Sequence, residues 1–221
     1  EGAIIDLGYE PVRDGVYVLS TTGLYAFSSD LEQQCSATDI VGTPSTLAIG
    51  DTGVFVGTSA GILRAFTFCQ RVGSSGMMML DAWRYPRSGS LGSEITSITI
   101  DARDIDPIYI TTGSGAIHSL DFTGNILWSY QRANSGIHSL PAIDNRSGRL
   151  FYADDDGVPT ILEADGSVAF GVNYQASQGS VTGANLIVDE VRRQTESGMR
   201  LVRIYYFGAN DGWIYKIESI R

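Results

Sequence analysis

The sequence predicts an all-β fold, a β-propeller of about five four-stranded antiparallel blades with the last blade incomplete. Three observations predict it. Short apolar β-rich runs recur along the chain, a glycine follows each at a fixed distance, and no stretch shows the 3.6-residue apolar period of an amphipathic helix. The 221 residues include 26 glycines and only 6 prolines, as tight turns between many short strands require. The expected repeat units of the single domain are approximately 1–36, 37–92, 93–134, 135–176 and 177–221.

The organising strand of each unit reads Val16-Tyr17-Val18, Val54-Phe55-Val56, Ile108-Tyr109-Ile110, Leu150-Phe151-Tyr152 and Ile204-Tyr205-Tyr206. Such runs suit a strand buried on both faces. Gly23, Gly61, Gly115 and Gly157 each follow seven positions after the run begins, and Gly212 follows after eight. A second strand leaves each glycine, as in Gly61-Ile62-Leu63-Arg64-Ala65-Phe66 and Gly212-Trp213-Ile214-Tyr215-Lys216-Ile217, with Pro159 predicting a bulge or an exposed edge in unit four. Upstream, a strand ends in a β-branched residue and an aspartate at Ile5-Asp6, Ile100-Asp101, Ile143-Asp144 and Val188-Asp189, with Ile49-Gly50-Asp51 as a variant. A fourth strand is predicted at Gly124–Tyr130, at Gly166–Phe170 and, in unit two, across Met77–Trp83. Arg221 falls just after the third strand of unit five.

A blade cannot bury both faces alone, so neighbouring sheets must stack, which gives most aromatic side chains a packing role. With 15 Lys and Arg against 25 Asp and Glu, the formal charge of −10 repels nucleic acid and anionic lipid, and neither is expected as a partner. No apolar run reaches membrane-spanning length, and Glu1 to Glu10 lack the features of a signal peptide. The chain is therefore expected to be soluble as it stands, with any targeting segment removed or outside it. Cys35 and Cys69 are either buried free thiols or one disulfide, and the disulfide would imply an oxidising compartment.

From Ile108 to Asp165 the residues resemble the pyrroloquinoline-quinone-like repeat family of β-propellers. The likeness is carried by Ile108-Tyr109-Ile110, by Ser119-Leu120-Asp121-Phe122-Thr123-Gly124-Asn125-Ile126-Leu127-Trp128 and by Leu140-Pro141-Ala142-Ile143-Asp144. That family's tryptophan-docking motif places the tryptophan at Trp128, wedged between blades. The family includes quinone-dependent dehydrogenases, but also non-enzymatic scaffolds such as the lipoprotein subunit of the outer-membrane β-barrel assembly machine. The dehydrogenases carry a vicinal cysteine pair and calcium ligands in an eight-bladed ring; Cys35 and Cys69 are not vicinal. The resemblance thus points to the non-enzymatic branch, with no cofactor.

Candidate chemistry is sparse. Asp154-Asp155-Asp156-Gly157 has the carboxylates of a hard-cation site, but its place between two paired strands makes it turn chemistry, and Asp101, Asp104 and Asp106 read as a strand connection. His118 and His138 have no partnering cysteine or nucleophile motif. Gly113-Ser114-Gly115 and Gly73-Ser74-Ser75-Gly76 precede no helix and read as turns. No catalytic, cofactor-binding or metal residue is assigned. Met77-Met78-Met79 reads as a strand with alternating inward side chains, the rival being a soft contact patch. Asn145-Arg146-Ser147 is a glycosylation sequon that places Asn145 in an exposed hairpin.

Two insertions are candidate partner-docking sites: Val72–Gly92, with Trp83, Arg84 and Tyr85, and the basic Val188–Leu201 hairpin, with Glu190, Arg192, Arg193, Glu196 and Arg200. The expected function is a non-catalytic scaffold or accessory subunit that binds protein in an extracytoplasmic complex (periplasmic, secreted or lumenal), a membrane-associated complex being one such setting, with no insertion of its own. The alternative is a small-ligand or carbohydrate-binding propeller in which Trp83 and Trp213 stack on the ligand. A quinone-dependent dehydrogenase fragment is the second alternative.

Overall fold

The structure is a computed structural model that describes residues 2–74, 76–101, 107–131, 135–169, 181, 186–195 and 198–220. Asp104, Asp106, Phe170 and Glu196, singled out from the sequence, lie outside the described residues.

The first sheet is a meander of β1 (Ile4–Glu10), β2 (Gly15–Ser20), β3 (Gly23–Ser28) and β4 (Gln33–Ala37). The second contains β5 (Pro44–Gly50), β6 (Gly53–Thr58) and β7 (Leu63–Phe66). A separate hairpin of β8 (Gln70–Arg71) and β9 (Met77–Met78) then interrupts it before β10 (Asp81–Tyr85) pairs with β7. The third runs β11 (Ile95–Ile100), β12 (Ile108–Thr112), β13 (Ala116–Leu120) and β14 (Ile126–Gln131). The fourth has β15 (Ala142–Ile143), β16 (Leu150–Ala153) and β17 (Pro159–Leu162); the fifth has β18 (Ile187–Thr195), β19 (Gly198–Gly208) and β20 (Ile214–Ile220). Consecutive antiparallel sheets of this kind, with no helix among the described residues, form a β-propeller. Cα packing divides the chain into two compact units, residues 1–113 with 118–127 and residues 114–117 with 128–221.

The repeated apolar runs lie in β2, β6, β12, β16 and β19, and β6, β12 and β16 are buried at every position. The aligned glycines make the turns after them; Gly61, Gly115, Gly157 and Gly212 have φ between +73° and +84°, where a side chain costs about 1–2 kcal/mol. In the first unit one core joins Leu19, Leu24, Val54, Val56 and Phe66, and another joins Phe55, Leu63, Ile95, Ile110 and Leu120. In the second, Phe151 packs on Tyr205 and Phe207 with ring centroids at 5.0 and 6.2 Å. Two of the column aspartates reach the following sheet. Asp6 Oδ2 accepts the Leu47 N–H at 3.1 Å, and Asp144 pairs with Arg203.

Three sequence expectations are corrected. The fourth strand of sheet two is Asp81–Tyr85, not Met77–Trp83. Met77 and Met78 belong to the inserted hairpin, where both are exposed, and only Met79 turns into the core. Thr67 fixes this break, because its hydroxyl accepts the Leu80 N–H while its own N–H donates to the Leu80 carbonyl. In unit four, the described residues after Gly166 make an isolated bridge, Leu162 to Val168, instead of a strand. Pro159 makes no bulge, and although β17 is an edge strand of the three-stranded sheet, Pro159 is buried there and not exposed. It pairs in register with Ala153 as the first residue of β17, buried, where a missing N–H is tolerated.

Candidate functional site

Trp83 and Trp128 are each the third residue of an outer strand, and each indole docks on the turn that follows the third strand of the next sheet. Trp83 Nε1–H donates to the Phe122 carbonyl at 2.8 Å, and Trp128 Nε1–H to the Ala164 carbonyl at 2.9 Å. Under the rings lie Gly124 (φ +81°) and Gly166 (φ +84°), where a Cβ would stand 2.5 and 2.6 Å from the indole. The turn under Trp83 is held by Asp121, whose Oδ1 accepts from Thr123 N–H (2.9 Å), Thr123 Oγ1–H (2.7 Å) and Asn125 N–H (2.9 Å). Burial pushes the Asp121 carboxyl up, but these hydrogen bonds outweigh it and bring the pKa down to about 2. Because the folded value lies below the ordinary one, the carboxylate's contribution is complete above about pH 4 and disappears as pH falls through 2. Trp83 fluorescence is expected to shift to the red between pH 4 and 2, and Asp121→Asn is expected to abolish that step.

The structure therefore engages Trp83, Arg84 and Tyr85 within the chain. Arg84 donates to the Pro86 carbonyl at 3.1 Å and the Gly89 carbonyl at 2.6 Å. Tyr85 Oη lies 3.2 Å from His118 Nδ1, and burial pushes the imidazole pKa down and the phenol pKa up. His138 Nδ1 lies 2.7 Å from Asp155 Oδ2, which ties the segment before β15 to the turn between β16 and β17. Asp154 holds the same turn by accepting the Val158 N–H at 2.8 Å. No group of three metal-ligating side chains converges among the described residues.

In the fifth sheet, the β18–β19 hairpin forms as the sequence suggests, pairing from Ile187↔Tyr206 to Thr195↔Gly198. Arg193 makes a two-pronged ion pair with Glu218 at 2.7 and 3.2 Å, while Arg192 is exposed. Beneath it sits a feature that sequence reasoning missed. Arg203, only 8% exposed, pairs with the buried Asp144 and lies 3.6 Å from Glu190, which also pairs with Arg146 at 2.5 Å. An arginine within an apolar run gives no sign of its partners. Asn145 is exposed in the turn that Asp144 organises. Trp213 is exposed, whereas its column mates Leu24, Ile62, Ala116 and Val158 are buried.

One group of exposed apolar side chains lies on the inserted hairpin and on the turns beside it. A cavity of about 270 Å³ is lined by Arg13, Asp14, Ser28, Gln34, Cys69 and Met77, so it joins the β1–β2 turn, the β3–β4 turn and the hairpin. The same turns expose Val12 (85%) and Leu31 (71%), and the hairpin exposes Met77, Met78 and Leu80. Asp14 and Leu31 both have left-handed backbone, φ +53° and +62°. For leucine this is an unfavourable conformation, held by Leu31 N–H donating to the Ser28 carbonyl and Ser28 N–H donating to the Glu32 carbonyl, each at 2.9 Å. Cys35 and Cys69 are joined in a disulfide at the hairpin's base, with Cα atoms 6.2 Å apart.

No protein-family profile matches the chain, and no curated protein does. Among solved structures it is similar to BamB from Moraxella catarrhalis, at 15% identity and a TM-score of 0.62, over 100% of this chain and 76% of that one. It is also similar to the computationally designed Ika4 protein, at 15% identity and a TM-score of 0.61, over 84% of this chain and 97% of that one. At such identity the likeness shows the fold.

Proposed function

We propose that the chain is a non-catalytic propeller scaffold of the pyrroloquinoline-quinone-like repeat type, which binds a protein partner in an extracytoplasmic complex. The observation that carries this reading is the exposure of Val12, Leu31, Met77, Met78 and Leu80 on the turns and hairpin that border an open cavity. Loop tips held in unfavourable backbone at a surface, beside adaptable methionines, suit recognition of another protein. The likeness to BamB, together with the sequence resemblance to the non-enzymatic branch, supports a membrane-associated assembly as the setting. The Cys35–Cys69 disulfide supports an oxidising compartment.

The test is affinity capture from the source under mild detergent, comparing the native chain with Met77→Glu/Met78→Glu. The native chain is expected to retain a stoichiometric protein that the variant loses by about tenfold or more, the equivalent of roughly 1.4 kcal/mol. Equal recovery by both chains, or recovery of the chain alone, contradicts the reading. A cavity of about 530 Å³ lined by Phe55, Phe66, Trp83, Phe122 and Arg87 favours small-ligand binding as a second reading. A saturable change in Trp83 fluorescence on glycan titration would favour it.

A further inference from the structure

Cys35 occupies the position that a docking tryptophan holds in the next two sheets. It is the third residue of β4, as Trp83 is of β10 and Trp128 of β14. The registers agree as well. Cys35 pairs with Ala26 and Trp83 with Ala65, each beside a register shift and each opposite the alanine of an Ala-Phe pair. Its partner Cys69 lies three residues beyond β7, as Thr123 lies three beyond β13 and Asp165 three beyond β17, within the turns that receive the indoles. Where the third and fourth sheets make a tight five-residue turn, from Asp121 to Asn125 and from Glu163 to Ser167, the second sheet inserts the β8–β9 hairpin.

We propose that the Cys35–Cys69 disulfide replaces the docking tryptophan as the clamp between the first two sheets, and that it places the inserted hairpin under thiol control. The hairpin's own ladder is short: Gln70 with Met78, Arg71 with Met77, and Val72 N–H to the Gly76 carbonyl at 2.9 Å. At its base, Phe68 is held by the Tyr17 ring (centroids 6.0 Å) and by Arg13 above it (4.1 Å), and Cys69 N–H donates to Tyr17 Oη at 3.2 Å. Between Cys69 and the buried Met79, the disulfide is the one covalent anchor. Cys35 is 7% exposed, whereas Cys69 is half-buried and lines the cavity beside Met77, so a reductant reaches Cys69 first.

A dithiol supplies the reaction. Its thiolate attacks Cys69 Sγ and expels Cys35 as a thiolate, which takes up a proton. The reductant's second thiol then expels Cys69. The S–S bond becomes two thiols, with two electrons and two protons gained, and the dithiol becomes a disulfide. Two small thiols cannot grip a turn as an indole does, so the hairpin loosens. The Trp83 and Trp128 docks contain no sulfur and do not respond.

Hydrogen exchange of the full chain at short labelling times, before and after complete reduction with a small dithiol, tests this. Amides of residues 70–74 and 76–78 are expected to exchange about tenfold faster after reduction, with Gly53–Thr58, Ile108–Thr112 and the turn under Trp83 unchanged. Cys35→Ser/Cys69→Ser is expected to match the reduced chain without reductant. Hairpin exchange unmoved by reduction, loosening that extends equally to Gly53–Thr58, or a folded double variant that behaves as the oxidised chain would overturn the proposal. The readout needs no partner, so its failure is distinct from failure of the binding role.

Discussion

Replacing Arg203 by methionine is expected to cost about 3–5 kcal/mol of unfolding free energy, the largest single loss among these ion pairs. Asp144 is 5% exposed and Arg203 8%, so removing the guanidinium leaves one buried carboxylate without its partner and a second, on Glu190, held only by Arg146. Burial pushes the Asp144 pKa up, while Ser147, the Arg146 N–H and Arg203 together bring it below the ordinary value. Without Arg203 that balance moves upward. The stability gap between the native chain and the variant is therefore expected to narrow as pH falls and Asp144 protonates, and Asp144→Asn in the same chain is expected to recover part of the loss at neutral pH. Denaturant unfolding measures all three; a loss below about 1 kcal/mol for Arg203→Met would mean that water already screens the cluster.

Gly124→Ala is expected to cost roughly 2–5 kcal/mol. Left-handed backbone at a non-glycine residue contributes about 1–2 kcal/mol. Overpacking contributes about 1–3 more, because the new methyl would stand 2.5 Å from the Trp83 ring, far inside contact distance. The effect is local in origin, so Trp83 emission should move to the red in the folded variant, and Trp83→Ala added to Gly124→Ala should remove the steric part of the loss. If Gly124→Ala is as stable as the native chain, the indole does not sit on that turn.

Much of the propeller is legible in the sequence because its repeat is local. An apolar run followed seven or eight positions after its start by a glycine of positive φ identifies β2, β6, β12, β16 and β19 without knowledge of any partner strand. The docking role of Trp128 was readable from its motif. That of Trp83 was hidden, because the inserted hairpin separates it from the β7 strand it pairs with and makes the segment look like a docking loop. The hairpin is hidden for the same reason: Met77-Met78-Met79 has the composition of a strand, and the paired hydrogen bonds of Thr67 and Leu80 show where sheet two resumes. Arg203 and the exposure of Val12 and Leu31 carry no local signal at all. The first depends on a carboxylate from the preceding sheet, and the others on which turn tips stand clear of neighbours.

Protein binding through the surface that carries Val12, Leu31 and the Met77–Met78 hairpin, as proposed, is open to direct test. A photoreactive residue placed at Met78, with one at the exposed Asp51 turn as control, tests it in the native extract. A single protein is expected to be cross-linked in stoichiometric amount from position 78 and to be absent from position 51. No adduct at 78, or the same spread of adducts from both positions, would contradict it.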